Sequence, residues 1–139
     1  NADNYVKAVG VGECAGVVID LVATLLYEAK DKLTNAEESF AEGKWSDSIY
    51  QAYAGIVNGA KALLLAEKQK TNTHAGIIDS FDTVFVENNK IELGSSFKDF
   101  VYQINKNEPT ESFAKQYIQE AITFFEKLEA YRAADLAKA

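Results

Sequence analysis

The sequence predicts an all-α fold, an up-and-down helical bundle of about five helices, three of them long, behind a short extended N-terminal arm. Apolar residues recur at three- and four-residue spacing along most of the 139 residues, the period of one helix face. One proline and eight glycines leave long stretches unbroken, whereas a turn-rich β-fold needs such residues at short intervals. Hydrophobic residues at 47 % and charged residues at 25 % suit a single domain with its own core.

Residues 1–14 are expected to be an extended arm or a linker from a preceding domain, because YVKAVGVG alternates weakly and is rich in β-branched residues. Residues 15–139 form the bundle. In its first helix Val18, Leu21, Val22, Leu25, Ala29, Leu33, Ala36 and Phe40 make one apolar stripe, and Gly43 ends it. The second helix runs from about Trp45 to Lys68, with Trp45, Ile49, Tyr53, Ile56, Ala60, Leu63 and Leu64 on its apolar face. KQKTNT breaks the pattern, and Thr71, Asn72 or Thr73 can cap a third helix from His74 to about Val86. Ser95 or Ser96 caps a short fourth helix carrying Phe97, Phe100, Val101 and Ile104. Pro109 suits the first turn of a long last helix lined by Phe113, Tyr117, Ala121, Phe124, Leu128 and Tyr131. Short connections imply antiparallel neighbours.

The net charge of −7 excludes broad, non-specific binding of nucleic acid, which needs clustered cations. The basic residues are scattered except for Lys61, Lys68 and Lys70, a small patch with two readings: a phosphate site, or a solvated helix end favoured by the C-terminal dipole. Cys14 is the only cysteine, so an internal disulfide is excluded and a reducing, cytoplasmic location is expected. No apolar run approaches the length of a membrane span. The chain begins with Asn and has no Met, as a fragment or a processed product would.

Gly10, Gly12 and Gly16 in VGVGECAG imitate a dinucleotide-binding loop, but no second strand or ribose-binding acid follows, so a junction is the expected role. One histidine cannot supply the paired Glu-x-x-His motifs of a di-iron bundle, and one cysteine cannot hold zinc or a cluster. Tyr50 and Tyr53, with Asp47 a turn before, belong to a ligand pocket or to the core with their hydroxyls on polar partners. Gly55 and Gly59 share a face that admits a close neighbour, and with exposed aromatics such as Phe125 they are candidate contact surfaces.

The segments YQAYAGIVNGAKALLLAE and NTHAGIIDSFDTVFV together resemble the HEPN family of small helical bundles. Tyr50, Tyr53, Ala54, Ala60, Ala62, Leu63, Leu64, His74, Gly76 and Phe81 follow the order of that pattern, over about residues 37–87. HEPN ribonucleases place an arginine four to six residues before this histidine, and two such pairs across a dimer act on a 2′-hydroxyl and its phosphate. Here His74 holds the histidine position, the arginine position falls on Glu67, Lys68 or Gln69, and the only arginine is Arg132. A lysine lacks the planar fork that binds phosphate bidentately. The resemblance therefore implies an accessory domain acting in dimerisation or in partner or nucleotide binding. Its ligand-binding candidates are Lys61, Lys68, His74, Tyr50 and Tyr53, and His74 is the one weak catalytic candidate. A degenerate HEPN ribonuclease and a nucleotide-binding partner of a nucleotidyltransferase are the alternatives.

The N-terminal segment NADNYVKAVGVGECAGVVIDLVATLL resembles the junction by which a bacterial nitrite/sulfite reductase carries a C-terminal HEPN-like domain. That likeness implies an oxidoreductase parent whose siroheme and iron–sulfur ligands lie upstream, with no cofactor in this fragment. A homodimer or a contact with the preceding enzyme domain is the expected assembly.

Overall fold

The computed structural model describes residues 11–69 and 73–138, with the side chains of 11–16 outside that description. Five α-helices follow in order: α1 (Val11–Ala41), α2 (Trp45–Ala66), α3 (His74–Phe81), α4 (Phe97–Val101) and α5 (Glu111–Ala137). Three are long, as the apolar period predicts. Among the described residues there is no strand. Helix α1 begins at Val11, so the last four residues of the expected arm are helical, and Gly12 and Gly16 lie within the helix; residues 1–10 are outside the described residues.

Helices α1 and α2 form an antiparallel hairpin. Gly43 turns the chain at a φ of 76°, and the Lys44 N–H closes the end of α1 on the Ser39 carbonyl at 2.9 Å. The glycine face of α2 is spent inside this hairpin and against α5, not on a partner. A methyl group on Gly55 would stand 2.9 Å from Leu33 Cδ2 and 3.2 Å from the Ala29 carbonyl oxygen, and one on Gly59 would stand 2.7 Å from Leu128 Cδ1.

Two connections run back along the bundle, so that α3 and α5 follow the direction of α2. After α2 the chain returns to the level of Tyr53, where His74 opens α3. Helix α3 then descends until Phe85 meets Tyr131 and Lys90 meets Glu67. From Ile91 to Pro109 the chain climbs again beside α5, with Phe97 stacked on Phe124 and the Tyr117 hydroxyl donating to the Val101 carbonyl at 2.9 Å. The last turn of the third helix, Asp82–Val86, widens to π geometry, with the Glu87 N–H on the Asp82 carbonyl. Asp82 also accepts the N–H groups of Phe97 and Lys98 at 2.6 and 3.1 Å, tying the start of α4 to the end of α3.

The core is aromatic at its centre. Phe81 packs on Phe85, Phe97 and Phe124 with ring centroids 4.4–5.6 Å apart. Val22, Ala29, Leu33, Ala36, Ile56, Leu63, Leu64 and Leu128 complete it. Two residues depart from their expected placement. Leu21, assigned to the buried stripe, is 49 % exposed while the adjacent Val22 is fully buried, because α1 outruns α2 at that end and the covered face there is narrow. Phe125, expected to be an exposed contact, is only 6 % exposed, because α5 packs against both α1 and α2 and Phe125 lies beside Gly59 of α2, while the neighbouring Phe124 faces Phe81 and Phe97.

Candidate functional site

His74 is the first residue of α3 because Thr73 stops the incoming chain in an extended conformation and its Oγ1 accepts the Gly76 N–H at 3.0 Å. Thr71 and Asn72, the other expected caps, and Lys70 lie outside the described residues. The cap fixes where the imidazole begins. Its ring is exposed and meets Tyr53 of α2: Nδ1 lies 2.8 Å from the Tyr53 hydroxyl, and the ring centroids are 5.6 Å apart. Burial against the helix raises the Tyr53 phenol above its usual range, so the hydroxyl keeps its proton at neutral pH.

Beside this pair opens a cleft of about 440 Å³, lined by Ser46, Ile49, Tyr50, Tyr53, Ile104, Asn107, Pro109 and Phe113. Tyr50, 63 % exposed, stands 6.4 Å from Tyr53, centroid to centroid, and forms the outer wall. Periodicity alone did not reveal Ile104, Asn107, Pro109 and Phe113 as cleft walls, since they come from a segment that reaches Tyr53 only by the second return. Thr110 caps α5, so Pro109, expected in its first turn, stands just before the helix and lines the cleft.

The structure divides the five ligand-binding candidates. Tyr50, Tyr53 and His74 come together. Lys68 does not join them: α2 continues about 20 Å beyond Tyr53, at about 1.5 Å per residue, before Lys68 is reached. There Lys68 turns the chain at a φ of 63°. Lys61 is exposed on α2 about 12 Å along from Tyr53. The arginine position is equally remote. Glu67 pairs with Lys90 at 3.5 Å, and Arg132 pairs with Asp135 at 3.7 Å near the end of α5, about 28 Å along that helix from Phe113.

A family model described as "HEPN domain" matches residues 22–134, nearly the whole bundle. The chain belongs to the HEPN family. This HEPN domain is also 29 % identical over 115 residues to "Putative toxin MJ0605" of Methanocaldococcus jannaschii, covering 78 % of this chain and 86 % of that protein. Neither match points to a nitrite/sulfite reductase. Among the described residues no group of three or more His, Cys, Asp or Glu is placed to hold a metal. With a single histidine and a single cysteine in the sequence, the HEPN domain does not fit siroheme or an iron–sulfur cluster. No helix of the described residues is long and apolar enough to cross a membrane.

Proposed function

We propose that this HEPN domain is non-catalytic and binds a planar ligand of nucleotide type in the cleft beside Tyr53 and His74, as an accessory to a larger protein. The observation that carries this reading is the company His74 keeps. Its ring is paired with a tyrosine, and no lysine or arginine lines the adjoining cleft. Cleavage at a 2′-hydroxyl develops charge on the phosphate, and a cation held beside the base supplies the stabilisation. An aromatic wall with few polar groups is suited instead to stacking a ring. The likeness of the N-terminal segment to a reductase junction supports an oxidoreductase parent, and a second copy or that preceding domain is the expected neighbour.

The test is thermal denaturation of the purified chain with AMP and ATP beside an RNA cleavage assay. The expected result is a rise in Tm with nucleotide, diminished in Tyr50→Ala, and no RNA product. The relative named as a toxin favours one other reading, a ribonuclease with an altered site. RNA cleavage by the wild-type chain that is lost in His74→Ala would establish that reading and overturn ours.

A further inference from the structure

We infer that Tyr53 is a positioning residue for His74: its hydroxyl donates to Nδ1 and holds the imidazole as the Nε2–H tautomer, so the ring presents a hydrogen-bond donor to an oxygen of the bound ligand.

Two hydrogen-bond patterns fit a separation of 2.8 Å, because a phenol both donates and accepts and either imidazole nitrogen can carry the proton. The chemistry of the two groups chooses between them. A phenolic O–H is a stronger donor than a neutral imidazole N–H, and an imidazole nitrogen is a stronger acceptor than a phenolic oxygen. O–H···N is therefore the better bond. The proton consequently sits on Nε2, at the other side of an exposed ring. A neutral ring held this way offers no lone pair outward, so it recognises an acceptor and does not remove a proton. The ligand this implies carries a phosphate or carboxylate oxygen at His74 and lays an apolar planar portion along Tyr50 in the cleft.

This ligand assignment rests on the binding function proposed above, whereas the tautomer does not. Because His74 is the only histidine in the sequence, two-bond ¹H–¹⁵N correlation spectra of the tag-free, ¹⁵N-labelled chain report its ring alone. They are to be recorded above the ordinary histidine range of about pH 6.5. The expected wild-type spectrum is that of the Nε2–H tautomer with a hydrogen-bonded Nδ1. In Tyr53→Phe, which keeps the ring in place, Nδ1 moves to the position of an unbonded nitrogen. A wild-type ring protonated on Nδ1, or an Nδ1 signal unchanged in Tyr53→Phe, overturns the inference. Titration with inorganic phosphate, adenosine and AMP then addresses the ligand. AMP is expected to shift the Nε2 signal, with several-fold weaker binding in Tyr53→Phe, and adenosine to leave that signal in place. If the tautomer is as stated and none of the three binds, the proposed nucleotide function fails while the role of Tyr53 stands.

Discussion

Lys68 holds a φ of 63° at the end of α2, where the Gln69 N–H reaches back to the Leu64 carbonyl at 2.8 Å. A left-handed conformation costs a residue with a Cβ about 1–2 kcal/mol, and glycine avoids it. Lys68→Gly is therefore expected to raise stability by about 1 kcal/mol in urea denaturation; a loss would show that the lysine side chain itself makes a needed contact. Tyr117 makes the opposite kind of commitment. It is fully buried, and its hydroxyl meets the Val101 carbonyl. Tyr117→Phe leaves that carbonyl without its partner and is expected to cost about 1–2 kcal/mol, read as a lower urea midpoint at unchanged slope. Helical spacing placed Tyr117 in the core, but its partner lies on another element. That bond was not legible in the sequence.

Helix α2 is the element on which the bundle and the site both depend. One face closes on α1 through Gly55, while the tyrosines of another wall the cleft. Replacing either glycine by alanine adds about 1 kcal/mol of helix propensity, so the sign of the effect depends on what must move. At Gly59 the obstacle is the terminal methyl of Leu128, which can rotate; at Gly55 it includes Leu33 Cγ at 3.0 Å and a backbone carbonyl. Gly55→Ala is accordingly expected to be net destabilising by about 1–2 kcal/mol, and Gly59→Ala to lie closer to neutral. Equal effects on Tm would show that α1 yields more than its packing implies. The third and fourth helices hold together differently. Asp82→Ala removes one carboxylate from two N–H groups at the start of α4 and is expected to cost about 2 kcal/mol. Hydrogen exchange should quicken over 95–105 before it quickens in α1.

At the scale of the whole molecule, burial raises the phenols of Tyr53, Tyr117 and Tyr131 above their usual range, Tyr117 most strongly. A group with a raised folded pKa contributes its full stability below the unfolded value, about 10 for tyrosine, and loses it as the pH rises toward the folded value. Stability should thus be flat in this respect below about pH 10. Above it, Tyr117 alone should lower stability by about 1.4 kcal/mol per pH unit. Tyr117→Phe should flatten the decline, and an unchanged alkaline slope would show that the phenol ionises without unfolding.

What the sequence determined by itself was the set of helices and the face each one buries, because a 3.6-residue period is a local property of the chain. The same is true of the turn at Gly43, whereas the caps were narrowed only to residues 71–73 and 95–96, from which the structure selects Thr73 and Ser96. Only the tertiary structure decided which distant residues share a site. The return after α2 carries His74 back to Tyr53 and leaves Lys68 behind, although Lys68 is much nearer to His74 in sequence. The physical reason is the rigidity of a helix, which sets its residues about 1.5 Å apart along an axis, whereas a connection takes whatever path lets the apolar faces meet. The same distinction accounts for Leu21 and Phe125, since a periodic pattern marks an apolar face but not the number of neighbours that cover it.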